Sequence, residues 1–178
     1  MLNVLKRHGL WVVFAAMVIA QLGFPISSIV GMNDVLKSGT EFKIKTRLVD
    51  PADPFRGRYV AIGVELDIPE PLQGEVQYGR DAFIRLRQGA DGFAEVVEVS
   101  GAPLAGDGVL HLNDVFGRGE TIRLPYDRYY MQESIAPKAE AVYNRERENA
   151  FVTIRVKNGV GAVSGLYIND TRIEDIEY

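Results

Sequence analysis

The residues best suited to chemistry in this 178-residue chain crowd into one stretch, Val49-Asp50-Pro51-Ala52-Asp53-Pro54-Phe55-Arg56-Gly57-Arg58-Tyr59. Two Asp-Pro pairs force extended or turn backbone on Asp50 and Asp53. Gly57 is free to take a positive φ or to admit a close backbone approach. Arg56, Tyr59 and the later Glu133 are of the right types for a polar cluster, in which a guanidinium forks a carboxylate and a phenol packs beneath it. Arg56, Gly57, Tyr59, Tyr130 and Glu133 are therefore the candidate binding residues. The plainer use of the same residues is a brace, with Arg56 paired to Glu133 and the strand connection held against Tyr129–Met131. A small-ligand pocket near Tyr59 and Tyr130 is a third use.

Other constellations are weaker. Asp50 and Asp53 offer too few oxygens for Ca²⁺, which takes six to eight, and turn formation is the simpler role. His8 and His111 have no partner at metal-ligand spacing. Asn169-Asp170-Thr171 fits a glycosylation sequon but is more simply a turn. A serine nucleophile with a buried lysine base would make a signal-peptidase-like hydrolase. Ser27 or Ser28 would be that serine. Lys43 and Lys45 alternate with apolar residues and point outward, Lys138 opens a polar helix, and Lys157 ends a hairpin. No catalytic set, metal or cofactor is expected.

The elements that carry these residues begin with an anchor. Lys6, Arg7 and His8 precede an uncharged run, Leu10 to Val30, and the next charge is Asp34. The run's 21 residues rise about 31 Å as a helix, against a hydrocarbon core of roughly 30 Å. Pro25 removes one backbone donor, which membrane helices tolerate. The basic side is N-terminal and no comparable cluster follows, so the positive-inside rule keeps residues 1–8 cytoplasmic and exports the rest. The reading is a basic flank at 1–8, a retained transmembrane signal-anchor at 9–32 and an exported domain at 33–178. A secretory signal cleaved after Ala20 is the alternative.

About 145 residues follow the anchor, enough for one domain with its own core. The chain has no cysteine, so that core must hold without disulfides. A formal net charge of −4 without a basic stripe excludes a nucleic-acid binder. The apolar period is mostly two. Phe42, Ile44, Thr46 and Leu48 line one strand; Val60, Ile62, Val64 and Leu66 line a second; Ile84 and Leu86 mark a third. Asp91-Gly92 turns into Phe93–Val99. Leu110 and Leu112 mark a strand before Gly117-Arg118-Gly119, and Ile122 and Leu124 mark one after it. Val152, Ile154 and Val156 alternate with polar residues up to the Asn158-Gly159 turn. The strand Ala162–Ile168 follows, then a turn at Asn169-Asp170. Pro137 to Asn149 instead reads as a helix with Ala139, Val142 and Tyr143 on its apolar face. The fold class is mainly β with one helix, a curled antiparallel sheet forming a small barrel or a sandwich.

Gly57-Arg58-Tyr59-Val60-Ala61-Ile62-Gly63-Val64 resembles the signature of the GDYXXLXY family of bacterial membrane-anchored proteins. Gly57 and Tyr59 match, and Ile62 stands for the Leu. Arg58 replaces the Asp and Val64 the final Tyr, so a role needing a carboxylate at position 58 is lost. Leu124-Pro125-Tyr126-Asp127-Arg128-Tyr129-Tyr130-Met131-Gln132-Glu133 is similar to a second family block. Val156, Gly159 and Gly165-Leu166-Tyr167-Ile168 are similar to its closing hairpin. The resemblance implies a single-pass bacterial inner-membrane protein with a periplasmic β-rich domain. The expected function is non-enzymatic: a binding or accessory protein whose partner is another envelope or membrane protein, captured in part by exposed sheet edges.

Overall fold

Alternating burial builds the sheets, and a computed structural model describes them over residues 2–47, 59–68, 77–118 and 121–176. The first element is a helix, α1 (Leu2–Ser38). It is followed by β1 (Thr40–Arg47), β2 (Tyr59–Ala61), β3 (Gly63–Asp67), β4 (Ala82–Gln88), β5 (Ala94–Ser100) and β6 (Val109–Leu112). Then come β7 (Phe116–Arg118), β8 (Thr121–Arg123), β9 (Arg128–Tyr130), α2 (Ala136–Glu146), β10 (Ala150–Lys157), β11 (Val160–Ile168) and β12 (Thr171–Arg172). One sheet runs β12-β11-β10-β1-β3-β8-β7, a second β5-β4-β6, and β2 pairs with β9 alone. The strand pairs are antiparallel. The fold is thus mainly β, as expected, and its sheets are open rather than closed into a barrel.

The core lies where β4–β6 covers the larger sheet. Phe42 and Ile44 from β1, Val152 and Ile154 from β10, and Ile84 and Leu86 from β4 meet there. Each is a large apolar side chain removed from water, and burying one stabilises by roughly 1.5–3 kcal/mol. Two hairpins close on turns of the expected kind. Asn158 and Gly159 have φ 51° and 82°, and Asn169 and Asp170 have φ 50° and 64°. Both match the left-handed pair that lets a two-residue turn follow the strand twist. α2 buries Ala136, Ala139 and Tyr143, with Pro137 in its first turn, and lies along β2.

Two expectations are corrected. Val60–Leu66 is not one strand: it is interrupted at Ile62, with β2 paired to β9 and β3 to β1 and β8. There the Ile62 N–H donates to the Asp127 carbonyl at 3.0 Å. Gly117 and Arg118 are not turn residues but belong to β7, paired with β8. The helix that carries the expected anchor, 9–32, runs on to Ser38. Its last turn has tertiary partners: Val35 is buried, and Lys157 Nζ reaches Asp34 Oδ2 at 2.7 Å and Ser38 Oγ at 2.7 Å.

Over Trp11–Ser38, α1 is long and apolar enough to cross a membrane, and Pro25 lies inside it without ending it. Its apolar side chains, Trp11, Phe14, Leu22, Phe24 and Ile29 among them, face outward instead of packing on the domain.

Candidate functional site

β2 and β9 are three residues each, so their pairing decides which side chains share a face. The register sets Tyr59 opposite Tyr130, Val60 opposite Tyr129, and Ala61 opposite Arg128. Side chains alternate along a strand. Val60 and Tyr129 accordingly turn into the core, and Tyr59, Arg128 and Tyr130 turn out. The Tyr59 and Tyr130 rings lie 5.9 Å apart at 59°, and the Arg128 guanidinium sits 5.2 Å from the Tyr59 ring centre. Asp127 stands 3.8 Å from Arg128. The hydrogen bond with Tyr130, and then the Asp127 carboxylate, raise the Arg128 pKa further. Tyr130 is 69% exposed. Two phenols and a fixed cation on an outward face are the side-chain types that dominate protein interfaces.

Of the five residues singled out from sequence, the structure thus joins Tyr59 to Tyr130. Glu133 is exposed in the turn before α2. Arg56 and Gly57 lie outside the described residues, as do Asp50, Asp53 and Arg58. A brace on β9 does exist, made by other residues. The Tyr129 hydroxyl donates to Glu174, and Arg172 Nε donates to Glu174 Oε2 at 3.1 Å. Arg172 Nη2 donates to the Ser164 carbonyl at 3.3 Å, tying β9 to β11 and to the closing turn. Burial first, and then the bond to Glu174, push the Tyr129 hydroxyl up to about 12. Sequence reasoning missed Arg128, although Arg128 and Tyr130 are two apart and so share a strand face. It also missed Arg172 and Glu174, which carry no local signal.

The remaining candidates are placed as follows. Ser27 donates to the Phe24 carbonyl within α1 at 2.8 Å. Lys43 and Lys45 stand over the Phe151 and Phe93 rings, and Lys157 is bound to Asp34. His111 stacks on Phe83 with ring centres 4.4 Å apart. Among the described residues no three His, Cys, Asp or Glu side chains converge on a metal site. Two surface depressions, of about 440 Å³ beside Lys43 and Asn169 and about 230 Å³ beside Lys45 and Glu65, lie away from Tyr59 and Tyr130.

The family model for the GDYXXLXY protein matches residues 21–166, most of the chain. The chain belongs to the GDYXXLXY family. No curated protein and no solved structure matches it. In this GDYXXLXY protein the signature runs through β2, the break at Ile62 and into β3. Ile62 and Val64 point into the core, so at these two positions the signature serves packing. Tyr59 is different: it belongs to the outward face it shares with Arg128 and Tyr130.

Proposed function

We propose that this chain is a single-pass inner-membrane protein whose β-rich domain stands in the periplasm and binds another envelope or membrane protein. Arg56 and Gly57, just ahead of Tyr59, and Glu133, just after Tyr130, belong to the same binding surface in this reading. The carrying observation is the outward Tyr59–Arg128–Tyr130 face, with Tyr130 mostly in water. Its position supports the reading. β1 leaves the helix end at Thr40 and runs about 25 Å to Arg47, which pairs with Gly63. Tyr59 lies beyond that end, so the patch is held on the domain's far side from α1. The single apolar helix supports the anchor, and the basic N-terminal flank supports its orientation.

The test is crosslinking of the full-length protein in native membranes, followed by identification of the captured chains. A Tyr59→Ala/Tyr130→Ala variant runs in parallel. A partner present with the parent and lost with the folded variant is the expected result. A partner retained by the variant moves the site elsewhere, and capture of nothing by either sinks the binding function.

A further inference from the structure

The geometry points to a second contact surface, at the opposite end of the domain. The tip of the β10–β11 hairpin, Asn158 to Val160, rests in the phospholipid headgroup layer beside the emerging helix. This rests on the anchor reading above and deepens it. The apolar run of α1 ends at Val30, and Asp34 lies four residues further on. That is about 6 Å along a helix, whereas the headgroup layer adds roughly 5–8 Å to each side of the hydrocarbon core. Asp34 therefore stands among headgroups.

Lys157 is bound to that same aspartate at 2.7 Å, which fixes the end of β10 at the same depth. β1 leads away from the helix, and β10 pairs antiparallel with it, so β10 runs toward the bilayer. The chain continues past Lys157 for Asn158 and Gly159 before β11 returns. The tip, held against β6 by the His111 N–H donating to the Gly159 carbonyl at 2.8 Å, thus lies to the bilayer side of an ion pair already at headgroup depth. Its chemistry suits that place. Asn158, Gly159 and Val160 are uncharged in an acidic protein, and Val160 is 47% exposed at the head of β11. Lys37, exposed on the last helical turn, adds a cation for lipid phosphates. The helix joins β1 through Gly39 alone, with the Gly39 N–H on the Val35 carbonyl at 2.8 Å. No flexible linker lifts the domain off the surface.

The chain has no cysteine, so single-cysteine variants of the full-length protein take one fluorophore each. Phe14→Cys, Val160→Cys and Thr171→Cys would be labelled in phosphatidylcholine–phosphatidylglycerol nanodiscs. Quenching is read with nitroxide lipids carrying the spin label on the headgroup or on the acyl chain. Thr171 is the distal control, beyond the other end of the nine-residue β11. The expected result is loss of Phe14→Cys emission with chain-labelled lipid, loss of Val160→Cys emission with headgroup-labelled lipid, and neither loss at Thr171→Cys. Val160→Cys behaving like Thr171→Cys, with Phe14→Cys still quenched, overturns the headgroup contact and leaves the anchor standing. That result would assign the exposed tip to a protein partner or a second copy. Phe14→Cys unquenched overturns both.

Discussion

Lys157 Nζ lies 2.7 Å from Asp34 Oδ2 across 123 positions of sequence, and it binds the last residue of β10 to the last turns of α1. Both side chains are partly in water, so the pair adds little to stability. Its effect is orientational, because it fixes the angle between a membrane-type helix and the domain. In Lys157→Ala the domain should stay folded and the helix–domain distance distribution should broaden. Paired spin labels on Ile29 and Tyr167 read this directly. An unchanged distribution would mean that Val35 and the Gly39 joint hold the angle without the ion pair.

Gly39 is the stiffer part of that joint. A Cβ there would stand 2.5 Å from the Val35 carbonyl oxygen and 3.1 Å from the Val156 nitrogen, both backbone atoms that cannot swing aside. Gly39→Ala must therefore push the helix end off β10. The expected loss is about 1–3 kcal/mol, in the range of other overpacking substitutions. Chemical denaturation of the full-length protein in detergent checks it, and a stability equal to the parent's would show that the joint relaxes.

Surface and core residues of the β2–β9 region should separate cleanly. Tyr130 is 69% exposed, so Tyr130→Ala should shift stability by no more than about 0.5 kcal/mol while removing partner capture. Ile62, fully buried between β2 and β3, behaves in the opposite sense. Ile62→Ala leaves a cavity costing roughly 2–5 kcal/mol, and any loss of capture should follow the loss of fold. Thermal melts beside the crosslinking assay separate the two. Equal destabilisation by both variants would make Tyr130 a structural residue.

Much of this was legible in the sequence because short-range physics wrote it. The alternation around Phe42 and Ile44, the Asn158-Gly159 turn and the apolar face of α2 each follow from a local period or a backbone preference. The interruption at Ile62 was not legible. All four of Val60, Ile62, Val64 and Leu66 are buried, so the alternation continues unbroken through a change of strand partners. The helix also runs past the apolar run, to Ser38. Hydropathy falls after Val30, but Val35 and Asp34 keep the last turns helical through contacts with residues more than 100 positions away. The brace on Tyr129 depends on Arg172 and Glu174, which sequence adjacency does not connect to β9. For the candidate site, the pairing of Tyr59 with Tyr130 needed the register of two three-residue strands, which no local pattern encodes.

Three tyrosines withdrawn from water, Tyr126, Tyr129 and Tyr143, set the last prediction, the alkaline limit of the fold; burial raises the Tyr143 hydroxyl as well. Burial pushes the Tyr126 hydroxyl up to about 12, and burial with the Glu174 bond does the same for Tyr129. An unfolded tyrosine ionises near 10. Below that pH both states hold the proton and stability is unaffected. Between about 10 and 12 the unfolded chain loses protons that the folded chain keeps, so unfolding releases protons and stability falls as pH rises. Tyr126 and Tyr129 each contribute up to about 3 kcal/mol to that fall, and the curve flattens above 12 where both states are ionised. Denaturant titrations at a series of pH values from neutral to strongly alkaline would trace it. Tyr129→Phe should lose roughly 1–2 kcal/mol at neutral pH, where its bond to Glu174 is missing, and then show a shallower alkaline decline than the parent. A decline in Tyr129→Phe as steep as the parent's would remove Tyr129 from the account and leave Tyr126, packed over Gly161, and Tyr143 as the titrating groups.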